Sequence, residues 1–166
     1  MATTTAPTGF GRPIWSAIKG GNQVHGVGLV PVSFAMVNGH SGTFNRNLFI
    51  TPPVTEGRFK VEAASISFGA AVDDDGSNYW SIMLQSGSVS TFGDLGGTAL
   101  SSATAFVANT AYALDVDGPE AATPRGVFLE AGDIVRILFT ETGTADDLTS
   151  NNMTVTLFLR HSPPGR

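Results

Sequence analysis

The chain has no cysteine and only two lysines, Lys19 and Lys60, in 166 residues. The missing thiols exclude disulfides, thiolate catalysis and cysteine-bound metals together. Charged residues make up 14% of the chain, where about 25% is usual in a soluble domain. The arginines (Arg12, Arg46, Arg58, Arg125, Arg136, Arg160 and Arg166) are scattered and form no run. With a net charge of -5, that scatter argues against nucleic acid as a partner, because phosphate binding needs gathered cations. No apolar run approaches the roughly 20 residues of a membrane-crossing helix. Met1 is followed by Ala-Thr-Thr-Thr-Ala-Pro, with neither a basic region nor an apolar stretch, so no signal peptide is expected.

Reactive motifs are missing too. Gly-x-Ser-x-Gly, Gly-x-Gly-x-x-Gly and Gly-x-x-x-x-Gly-Lys do not occur. His25, His40 and His161 stand far apart, each beside no recognisable partner. The expectation is a protein that is not an enzyme and carries no cofactor. The run Asp73-Asp74-Asp75-Gly76 invites a calcium test. Setting Gly76 at the glycine of an EF-hand loop puts Ala71 at the first ligand position and Ile82 at the twelfth, so that loop fails. Asp73, Asp75 and Asn78 stay as weak candidates for a calcium site between loops, against the commoner reading of a solvated turn.

What fills the gaps is glycine, serine, threonine, alanine and short apolar ribbons. In Met153 to Arg160, Met153, Val155, Leu157 and Leu159 alternate with Thr154, Thr156, Phe158 and Arg160, the signature of a strand with one buried face. Ile134 to Phe139 is apolar on both faces except at Arg136, which suits a central strand. Leu29 to Val37, Phe44 to Ile50, Arg58 to Phe68, Tyr79 to Gln85 and Gly126 to Glu130 read as further strands; Ala99 to Val107 and Ala111 to Val116 are weaker ones. Pro31 confines the first to an edge or a strand end. In the third, Phe59, Val61 and Ala63 share one parity and Ile66 and Phe68 the other, so a β-bulge is expected near Ala63-Ala64. The strands Arg58–Phe68 and Tyr79–Gln85 read as antiparallel neighbours, and the last two strands as a closing hairpin. Trp80, Ile82 and Leu84 should face inward.

The fold class expected is all-β: an antiparallel sandwich or jelly roll of about eight or nine strands with an extended N-terminal arm. The expected divisions are residues 1–24 as the arm, 25–161 as the β-domain and 162–166 as a tail. Within the arm, Pro13 to Gly20 could form a short helix placing Ile14, Trp15 and Ile18 on one face. Too short to stand alone, it must dock, either on its own domain or, with Phe10, on a neighbouring subunit.

The segment Leu129-Glu-Ala-Gly132-Asp133-Ile-Val135 resembles the Leu-x-x-Gly-Asp-x-Val signature near the end of jelly rolls of the tumour-necrosis-factor type and of many virion surface proteins of tailed phages. The polar arm, the lysine-poor and cysteine-free body, and the stretch Val61-Glu-Ala-Ala-Ser-Ile-Ser-Phe before an Asp/Gly loop are more similar to the phage group. That resemblance implies a capsid decoration (cement) protein, commonly a homotrimer. Its partner would be the major capsid protein or another virion protein. It would be made in the host cytoplasm and located on the capsid surface. The alternative it allows is a glycan- or receptor-binding fibre or spike tip.

Overall fold

A computed structural model describes residues 30–36, 42–52, 58–73, 76–88, 90–103, 105–116, 127–148 and 151–162. Every element in them is a strand. They are β1 (Val30–Met36), β2 (Phe44–Ile50), β3 (Arg58–Phe68), β4 (Tyr79–Ser88), β5 (Thr91–Asp94), β6 (Leu100–Ser101), β7 (Ala111–Leu114), β8 (Val127–Leu129), β9 (Ile134–Thr142) and β10 (Met153–Ser162). The expected arm and its helix, with Phe10, Ile14, Trp15 and Ile18, lie outside the described residues, as does the tail beyond Ser162.

The strands form two antiparallel sheets. The first runs β1-β10-β3-β7, with β8 also on β3; the second runs β2-β9-β4-β5, with β6 also on β4. β7 and β8 pair with successive parts of β3, residues 64–67 and 59–61. β5 and β6 likewise share the margin of β4. Each sheet therefore has four lanes, and the chain crosses repeatedly from one sheet to the other. That is jelly-roll winding. Ten strands replace the expected eight or nine because these two outer lanes are each split.

The core lies between the sheets. Met153, Val155, Leu157 and Leu159 of β10 are all buried, as alternation requires, and so are Val135, Ile137 and Phe139 of β9 and Trp80, Ile82 and Leu84 of β4. Phe44 stacks on Phe139 with centroids 4.5 Å apart, and Phe68 on Phe106 at 4.8 Å. The bulge in β3 is present: Ala63 pairs with Phe158 and Val61 with Leu159, leaving Glu62 as the extra residue. It turns the inward set from Phe59 and Val61 to Ala64, Ile66 and Phe68.

Two expected pairings are wrong. β3 and β4 are not neighbours in one sheet; β3 pairs with β10, β7 and β8, and β4 with β9, β5 and β6. β9 and β10 form no hairpin either, because β9 lies between β2 and β4 while β10 lies between β1 and β3. In both cases the connection arches between sheets. Both strands of each pair carry a broad apolar face, and these faces bury each other across the core rather than share an edge. The weak candidates shrink: Ala99 to Val107 contributes only β6, and β7 ends at Leu114.

Candidate interaction surface

The signature turn behaves as its residues dictate. Gly132 has φ +87°, and the Asp133 amide donates to the Glu130 carbonyl at 3.1 Å, a type II arrangement. The Asp133 carboxylate accepts from the Glu130 amide at 2.8 Å. Leu129 and Val135 are buried on either side. The turn carries the chain from β8 in one sheet to β9 in the other. It is fastened to the end of β2: the Thr51 amide donates to the Asp133 carbonyl at 2.7 Å and the Gly132 amide to the Thr51 carbonyl at 2.9 Å. These four signature residues therefore shape the fold and present no reactive group.

Of the weak calcium candidates, Asp73 and Asn78 are among the described residues. Asp75 lies outside the described residues. The Asn78 carbonyl oxygen accepts from the Thr144 amide at 2.7 Å, and the Asp73 amide donates to the Asp146 carboxylate at 2.9 Å. Both contacts close the loop end of the sandwich. Among the described residues, no three His, Asp or Glu side chains gather as a metal would need. Trp80 is core: its indole donates to the Asp146 carbonyl at 2.7 Å. His161 lies beside the Phe59 ring, 5.3 Å between centroids.

What the sandwich offers instead is surface. On the outer face of the first sheet, Glu62 sits between Lys60 and Arg160 at 3.0 Å from each. Lys60 lies 5.8 Å from the Phe128 ring, which is 49% exposed. Away from this cluster, toward the other end of the same face, the exposed side chains are small: Ser33, Ala35, Ala63, Ala111, Ala113 and Thr154. On the second sheet, Arg136 stacks over Phe92 at 3.6 Å and donates to Gln85, which in turn donates to Asp94, both at 2.8 Å. The sequence marked Arg136 as the one charge in an apolar strand. Its partner Phe92 lies in a Gly- and Ser-rich stretch without strand alternation, so nothing in the sequence joined the two.

The margins differ. Gly96 lies against the Asp115 backbone, and the Thr98 amide donates to the Asp115 carboxylate at 2.9 Å. The β5/β6 and β7/β8 edges therefore meet, and β1 and β2 form the opposite margin. There Val30, Val32, Phe34 and Met36 of β1 and Leu48 of β2 are only half-buried while packing on the core. β1 starts where β10 ends, Val30 opposite Leu159, so Val30 and Ser162 lie at the same end of the sandwich. Ile50, 62% exposed, lies at that end beside the turn.

No protein-family model and no curated protein sequence matches the chain. Solved structures with a similar course include a chain from infectious bursal disease virus, Gx strain. It shows 10% identity over 78% of this chain and a TM-score of 0.38, and the match spans about a third (32%) of the viral chain. A chain of Turnip Yellow Mosaic Virus has 10% identity, 84% and 96% of the two chains covered and a TM-score of 0.31. The empty head of that virus gives 13% identity, 100% and 90% covered and a TM-score of 0.33.

Proposed function

We propose that this chain is a structural protein of a virus particle that works by binding rather than catalysis, most specifically as a capsid decoration protein. The observation that carries the reading is a sparsely charged jelly roll with small residues over the outer face of its first sheet and an apolar margin at β1. A protein whose work is lateral contact gains from such surfaces, since few ions must be stripped of water when they are covered. The phage resemblance of the Leu129–Val135 signature supports the same reading. In it, Phe10, Ile14, Trp15 and Ile18 anchor the chain on the major capsid protein or another virion protein, and the β-domains associate as trimers. Residues 1–24 then act as the arm and 25–161 as the body.

Deleting Met1 to Gly21 tests the anchor. The shortened chain should keep a cooperative melt and lose most of its affinity for particles in a co-sedimentation assay. Unchanged affinity with an intact fold would remove the arm from this role.

A glycan-binding fibre or spike tip is the second reading. The Arg136–Phe92 platform with Gln85 and Asn47 beside it offers polar groups and an aromatic ring on one face. A glycan array in the presence and absence of calcium separates the two readings, because a purely structural protein binds in neither condition.

A further inference from the structure

We propose that the free edge of β1, with the apolar margin beside it, receives residues 10–18 of a second copy of the chain. This rests on the reading above and gives the arm a specific receptor.

The outer lanes of the sandwich are unequal. β5 to β8 are two to four residues long, too short to template another strand. β2 carries Arg46 and is broken by a bulge, since Asn47 pairs with Arg136 and Phe49 with Val135, leaving Leu48 over. Charges, bulges and prolines are the usual means of blunting an edge. β1 has no charge and no bulge, and its one proline, Pro31, is confined to its start. It is seven residues of Val-Pro-Val-Ser-Phe-Ala-Met in unbroken register with β10. Its main-chain groups facing away from β10 have no partner among the described residues. Beside them Val32, Phe34 and Met36 reach only half into the core. A docked segment would satisfy main-chain groups and cover apolar side chains at once.

The occupant follows from where the chain runs. Twenty-nine residues precede Val30. Fully extended they reach up to about 95 Å at roughly 3.3 Å per residue, well beyond one small domain. Their bulkiest apolar residues, Phe10, Ile14, Trp15 and Ile18, fall in one nine-residue stretch, while Val24, Val27 and Leu29 are spaced by glycine and histidine nearer β1. The part nearest β1 is unsuited to its margin. A two-residue turn at Gly28 and Leu29 would set Val27, His25, Gln23 and Gly21 opposite Val30, Val32, Phe34 and Met36, one apolar residue against four. In the sequence the Phe10 to Ile18 stretch precedes this link, and the reach of the intervening chain is enough to meet the β1 of another copy.

The absence of cysteine makes the test clean. Full-length chain carrying Ser16→Cys is prepared at natural isotope abundance, and full-length chain carrying Ala35→Cys is prepared with 15N. The two are mixed and treated with a short bis-maleimide. The expected result is a mixed-isotope adduct in mass spectrometry, at least fivefold above a control pairing Ser16→Cys with the exposed Ser88→Cys. Trp15→Ala in the donor copy, or Val32→Lys in the receiving copy with its melting curve retained, should return the yield to the control level. A yield equal to the control overturns the proposal. So does a chain carrying both cysteines that closes on itself in dilute solution with no adduct between copies. In either event, arm binding to other virion components in the co-sedimentation assay would leave the wider reading standing.

Discussion

Gly132 and Gly96 are both glycines at loops, but they are required for different reasons. Gly132 has φ +87° and open space where a Cβ would stand, so its requirement is conformational. Gly132→Ala should cost about 1–2 kcal/mol, the usual penalty for an L-residue held left-handed. Gly96 is buried, and a Cβ there would collide with the Asp115 backbone. Gly96→Ala should cost more, on the order of 2–4 kcal/mol, because main chain must move and the Thr98–Asp115 bond with it. Urea denaturation of the two variants measures the difference; equal losses would contradict it. The first requirement was readable from the Ala-Gly-Asp turn. The second was not, because the colliding backbone lies 19 positions along the chain, 115 less 96. The buried Asn151 was equally illegible. Its amide bonds both the amide and the carbonyl of Ala70, at 3.2 and 3.1 Å, and so fastens two loops that the sequence keeps apart.

Among the elements, β3 gives the sharpest test. Glu62 is the residue by which β3 exceeds its partner, and removing it leaves Phe59, Val61, Ala64, Ile66 and Phe68 in strict alternation. The deletion should be tolerated. The register with β10 becomes regular, and the losses are the two ion pairs of Glu62 and some twist, about 1–2 kcal/mol together. Deleting Ser67 instead makes Ile66 and Phe68, both buried, consecutive in the chain, so that one of them must go to the outer face whether or not the bulge persists. That should cost about 3–5 kcal/mol, a large part of the 5–15 kcal/mol of a typical domain. Near-ultraviolet circular dichroism and thermal melts of both deletions decide the matter. The break in parity within β3 was visible in the sequence. The strands on either side of it were not, since a hairpin and an arch between sheets both read as strand, polar loop, strand.

At the scale of the whole molecule, the proposed association is apolar and poorly charged. Its affinity should change less than about twofold between 0.05 and 0.5 M NaCl, because few charges are there to be screened. Its heat-capacity change on binding should be negative, as apolar burial requires. Titration calorimetry at several temperatures and salt concentrations checks both, and a steep salt dependence would point to an ionic interface. The strands, their inward faces and the Gly132 turn were written locally, in period-two alternation and one left-handed glycine, and needed no knowledge of distant residues. Sheet membership, the meeting of Arg136 with Phe92 and the half-buried margin at β1 exist only after the chain has wound. Each joins side chains or edges far apart in sequence, and no local propensity encodes which apolar face will lie across from which.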